Sequence, residues 1–144
     1  MTLALSESLG VAAELRNYRN HFAMDLMEHR NMKYDLEGKR FRSLSNTENG
    51  EVGAETVFHY HQQDSVVWAE YEGGEIVKGH LVAKVLPNGQ LDMSYHHINR
   101  GGEIMIGKCL STPEFTSNGK LKFKEEWQWL NGDKSSGSSE IIEE

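Results

Sequence analysis

Glu125 sits in the run LKFKEEWQW (121–129), where aromatic and charged residues alternate. If that alternation is the two-residue period of a β-strand, Glu125 shares a face with Phe123, Trp127 and Trp129, while Lys122, Lys124 and Glu126 take the other. A carboxyl group enclosed by aromatic rings is penalised for ionising, so its pKa rises and it can give or take a proton. The run LDMSYHHIN (91–99) brings Tyr95 and His97 to one face by the same period. Glu125, His97 and Tyr95 are therefore the candidate catalytic residues, the first two as an acid–base pair and Tyr95 as hydrogen-bond donor. The plainer alternative is a structural carboxyl group bonded to Tyr60, Tyr95 or backbone at the mouth of a barrel.

Other side chains offer less. His59 and His61 share a strand face, with Glu70 and His80 further along. The spacing to Glu70 is long for one ligand set, and alternation turns both histidines outward, so no metal is assigned. Cys109 is the single cysteine, which forbids an internal disulfide and suggests a reducing, cytoplasmic setting. As a nucleophile it lacks a base fixed beside it. No glycine-rich loop opens a helix to cradle a pyrophosphate, so no cofactor is expected.

These residues need strands to place them. From Glu37 onward seven turn signals punctuate the chain: Asn49-Gly50, Asp64-Ser65, Gly73-Gly74, Asn88-Gly89, Gly101-Gly102, Asn118-Gly119 and Asn131-Gly132. Such pairs tolerate the positive φ of tight hairpins. They predict strands near 38–46, 53–62, 65–72, 75–86, 90–99, 103–112, 120–130 and 134–142. Short links make consecutive strands antiparallel, and eight of them close into an up-and-down β-barrel without edges.

Alternation then assigns the interior. Val77, Gly79, Leu81, Ala83 and Val85 oppose Lys78, His80 and Lys84. A type I turn with a glycine bulge at Pro87-Asn88-Gly89 pairs Val85 with Leu91, which turns Leu91, Met93, Tyr95, His97 and Asn99 inward. The later turns do the same for Met105, Gly107, Cys109 and Ser111, and for Leu121, Phe123, Glu125, Trp127 and Trp129. Phe58, Tyr60 and Gln62 face in. Strand 65–72 buries either Val67, Ala69 and Tyr71 or Val66 and Trp68.

Before the strands, Val11, Leu15, Tyr18, Phe22 and Leu26 draw one apolar stripe along a helix in the first 30 residues. That divides the chain into an N-terminal helix and connection (1–36) and a barrel domain (37–144). The stripe must cover the barrel, near Trp68 or over an open end, or pair with a second copy in a homodimer. The opening residues lack the positive start of a secretory signal, and no run is long enough to span a membrane. A net charge of −7, from 22 acids and 15 bases, disfavours nucleic acid and anionic membranes as partners.

The segments HYHQQDSVVWAEYEGGEIVKG, GQLDMSYHHINRGGE and KEEWQWLNGDKSSGSSEI resemble a family of small bacterial proteins that often carry an N-acetylglutamate synthase label. The resemblance spans about residues 37–144 and implies a calycin-like barrel of the lipocalin and avidin kind.

The expected interior is polar for a closed barrel and also aromatic. Phe58, Tyr60, Tyr95, His97, Asn99, Cys109, Ser111, Glu125, Trp127 and Trp129 are the candidate ligand-binding residues, with Gly79, Ala83 and Gly107 thinning the wall to leave a cavity. The first reading is binding of a small apolar or aromatic molecule. The alternative is a cofactor-free cyclase or isomerase using the acid–base residues in the same cavity.

Overall fold

The computed structural model describes residues 34–144. The helix expected in the first 30 residues lies outside them. Of the seven turn pairs, six place a positive-φ residue at the turn, among them Asp64 at 53° and Gly89 at 87°. At Pro87-Asn88-Gly89, Leu86 N–H donates to Gln90 O (2.8 Å) and Gly89 N–H to Leu86 O (2.9 Å). This is the bulged three-residue hairpin expected from the sequence. The same two bonds recur between Asn99 and Glu103 and between Thr116 and Lys120. Asn49-Gly50 is the exception. It makes no hairpin but belongs to the long connection 47–56, where Gly50 lies flat against the Asn46 side chain.

The strands so joined are β1 (Arg40–Asn46), β2 (Val57–Gln63), β3 (Val66–Gly73), β4 (Ile76–Val85), β5 (Leu91–Asn99), β6 (Ile104–Phe115), β7 (Leu121–Trp129) and β8 (Ser136–Glu143). Each pairs antiparallel with the next, and β8 returns to β1 to close the barrel. The chain is thus mainly β, as the turn spacing predicts.

Interior parity follows the expected pattern with one break. Gly79, Leu81, Ala83 and Val85 face in, but Val77 is 54% exposed and Ile76 is buried instead. A bulge between Ile76 and Lys78 inserts one residue and flips everything before it. β3 buries Val67, Ala69 and Tyr71, which leaves Val66 and Trp68 outside. Trp68 stacks on His61 across the strand pair, ring centroids 5.4 Å apart. Lys122 faces out but its side chain is only 20% exposed, held between Glu114 and Glu140.

The two ends of the barrel differ. At one end Phe41, Val67, Leu91, Leu121, Phe123 and Ile141 pack with no more than 1% exposure each. Residues 34–36, which the sequence reading left in the connection, plug this end. Leu36 is fully buried and its N–H donates to Gln62 Oε1 (2.9 Å). Tyr34 sets its ring edge on Phe123 (5.7 Å) and donates its hydroxyl to Gly89 O (2.5 Å). The other end is covered by the connection 47–56, and the interior space lies beneath it.

Candidate functional site

Three cross-strand pairs shape that interior. Tyr71 lies directly opposite Gly79, Tyr95 opposite Gly107, and Trp127 opposite Gly137. A Cβ on any of these glycines would stand 2.1–2.4 Å from the facing ring. Each ring therefore lies flat across the strand beside it, and only the missing side chain makes that possible. The sequence reading took Gly79 and Gly107 as thin places in the wall. The structure corrects this: their space is filled by Tyr71 and Tyr95, which turn the wall aromatic.

The remaining space admits the centre of a water molecule over about 50 Å³. Grown by the radius of water, a compact space of that size is roughly 200 Å³, enough for an organic molecule of about ten non-hydrogen atoms. Phe58 and Tyr71 stack at 5.0 Å on one side. Trp127 and Trp129, 5.3 Å apart, stand four strands away across the barrel with Tyr95 edge-on to Trp129. Leu81 and Met93 complete the apolar lining.

Glu125 is buried at the depth of this space. Ser111 donates to its Oε2 (2.9 Å), Ser139 to its Oε1 (3.2 Å), and the Cys109 thiol lies 3.8 Å from Oε2. Burial raises its pKa, and the three donors only partly offset that. Burial also lifts the Cys109 thiol far above its ordinary value, with the Glu125 charge adding to it, so the thiol is inert. Tyr60 lies in the same core, and its buried hydroxyl has no hydrogen-bond partner among the described residues. Leaving such a group unpaired costs about 1–3 kcal/mol.

His97 closes the other end. Its side chain is 1% exposed, and both ring nitrogens are engaged. Nε2 meets Glu51 Oε1 at 2.7 Å, and Nδ1 meets the Tyr71 hydroxyl at 2.9 Å. A carboxylate accepts only, so Nε2 carries the proton and Tyr71 O–H donates to Nδ1. Burial lowers the pKa of His97, with Glu51 pulling against it. Asn99 Nδ2 donates to Glu51 Oε2 (3.0 Å). The indole N–H groups of Trp127 and Trp129 donate to Asn46 Oδ1 and Asn49 O. The connection 47–56 is thereby tied down as a cover.

Of the candidate binding residues, Phe58, Tyr95, His97, Cys109, Glu125, Trp127 and Trp129 line the space. Tyr60, Asn99 and Ser111 stand behind it and hold or adjoin those that do. Among the candidate catalytic residues the expected pairing fails. Glu125 is held by two serines and a thiol, and His97 by Glu51 and Tyr71, so the two form no acid–base pair. Glu51 and Tyr71 were missed. Tyr71 was hidden by the ambiguous parity of its strand, and Glu51 sits in a connection with no periodicity to read. Outside, the register brings Glu70 opposite His59, and its carboxylate is taken by His61 Nε2 at 2.7 Å.

A closed eight-stranded meander, plugged at one end and holding a covered interior space at the other, defines a calycin-type barrel. The chain belongs to the Avidin-like protein family, whose model matches residues 34–144. The N-acetylglutamate synthase label finds no support in that match. No curated protein and no solved structure matches the chain.

Proposed function

We propose that this protein binds a small, largely apolar or aromatic molecule inside the barrel, beneath the connection 47–56. The observation that carries this is the interior space itself, with aromatic walls and a few placed polar groups, the usual makeup of a ligand pocket. Membership of the Avidin-like family supports the same reading. The lone, inert Cys109 is compatible with a reducing, cytoplasmic setting as part of this proposal. The enzymatic alternative is not favoured by that family membership.

The test is a titration of the full-length protein with toluene, followed by the indole ¹⁵N–H signals of its three tryptophans. Trp127 and Trp129 are expected to shift in a saturable way while the outward Trp68 stays in place. Shifts confined to Trp68, or none at all up to the solubility of toluene, would reject interior binding.

A further inference from the structure

The charged groups of the cavity are one-sided. Its lining holds two carboxyl groups, Glu51 at the mouth and Glu125 at depth, and neither lysine nor arginine. The only basic side chain there, His97, is held in its neutral form by burial and donates its proton to Glu51. Between the two carboxyl groups stand the tilted rings of Trp127 and Trp129, 58° apart in plane, with Tyr95 at 67° to Trp129. Phe58 and Tyr71 present the opposite wall. Ring faces carry negative charge density, and a cation within about 6 Å of a ring centroid is attracted to it. An anion placed here would meet two carboxyl groups and five rings with no compensating donor charge. A cation would meet attraction from every side, and the net charge of −7 would draw it toward the protein.

We propose that the cavity selects a small organic cation, an ammonium group on a compact apolar body, with the aromatic rings enclosing the ammonium and Glu125 as its buried counter-ion. This rests on the interior-binding reading above. Burial raises the pKa of Glu125, so its proton competes with the cation, and a bound ammonium favours the carboxylate that faces it. The tyrosines and Cys109 around Glu125 do not obscure this competition, whereas His97, which also loses charge as pH rises, and its partner Glu51 face the same cavity. Tyr60, Tyr71, Tyr95 and Cys109 titrate well above neutrality, and His97 below its usual range. A neutral hydrogen-bonding molecule is the rival occupant, which makes a neutral probe the decisive control.

Three probes of nearly one shape separate the cases: benzylammonium, benzyl alcohol and benzoate, each titrated into the full-length protein at neutral pH with the Trp127 and Trp129 indole signals as readout. Benzylammonium is expected to bind at least about tenfold more tightly than benzyl alcohol, and benzoate weakest of the three. Benzylammonium affinity is also expected to climb with pH, by at most about tenfold per unit, as the proton on Glu125 is removed more easily. Glu125→Gln is expected to lose both the preference for the cation over benzyl alcohol and the pH dependence. Equal affinity for benzylammonium and benzyl alcohol, tightest binding of benzoate, or a benzylammonium affinity that stays flat from pH 4 to pH 8 overturns the proposal, and none of these needs a variant to fold. If benzyl alcohol binds and benzylammonium gains nothing over it, interior binding stands and only the cation falls. If none of the probes moves either indole, interior binding itself fails.

Discussion

Glu125 behaves at the residue scale as a buried acid whose charged form the fold resists. Its folded pKa lies above the unfolded value near 4.5, so the native state holds the proton more tightly than the unfolded chain. The sign follows from linkage: stability from this group is undiminished below that unfolded value and is lost as pH rises through the folded pKa. Glu125→Gln, which keeps the shape and never ionises, is expected to match the parent in urea unfolding at pH 4 and to exceed it increasingly as pH rises from there toward the folded pKa. A parent that gains on the variant as pH rises would show that Glu125 is stabilised as a carboxylate instead. Glu51 acts at the same scale on the cover. Glu51→Gln weakens a charge-assisted bond to His97 worth about 1.5 kcal/mol, so amides of the connection 47–56 should exchange roughly tenfold faster while those of β5 and β7 are unchanged. The pairing of Glu51 with His97 was not visible in the sequence, because a contact across 46 residues leaves no local pattern.

Among the elements, the strands were legible where turn chemistry fixed their register. Tyr95, His97, Trp127 and Trp129 were placed correctly because each follows a hairpin whose residues dictate its geometry. Val77 was placed wrongly because a bulge carries no signature of its own in β4. The glycines were identified as special for the wrong reason. Each supports a ring from the neighbouring strand, a relation between two strands that one strand's composition does not reveal. Gly107→Ala should therefore do more than perturb a strand. The added methyl would meet the Tyr95 ring at 2.1 Å, so the ring must swing into the cavity. A loss of about 1–3 kcal/mol in stability is expected from overpacking, together with loss of toluene binding, although no lining residue is removed. Unchanged binding in that variant would show that Tyr95 has room to move elsewhere.

For the whole molecule, closure is what the sequence conveyed best and the occupant what it conveyed least. Eight evenly punctuated strands have few ways to satisfy their edges, whereas a cavity is the space side chains leave and depends on every rotamer around it. The closure is uneven, however. Seven hairpin or barrel seams are long, but β1 meets β2 through only three aligned pairs, Arg40–His59, Phe41–Phe58 and Arg42–Val57. Its other neighbour is β8, about a hundred residues along the chain. Strands β2 to β8 can zip hairpin by hairpin, each step closing a short loop, while β1 must wait for a contact of high sequence separation. The seams thus predict an order of assembly: β1 is expected to dock last during folding and to depart first in native-state opening. Hydrogen exchange should find its amides the least protected among the eight strands, and a ϕ-value for Ser43→Ala near zero against values above about 0.5 in β4–β6 would establish the sequence of events in time. Protection of β1 equal to that of β5 would mean instead that the barrel opens only as a unit.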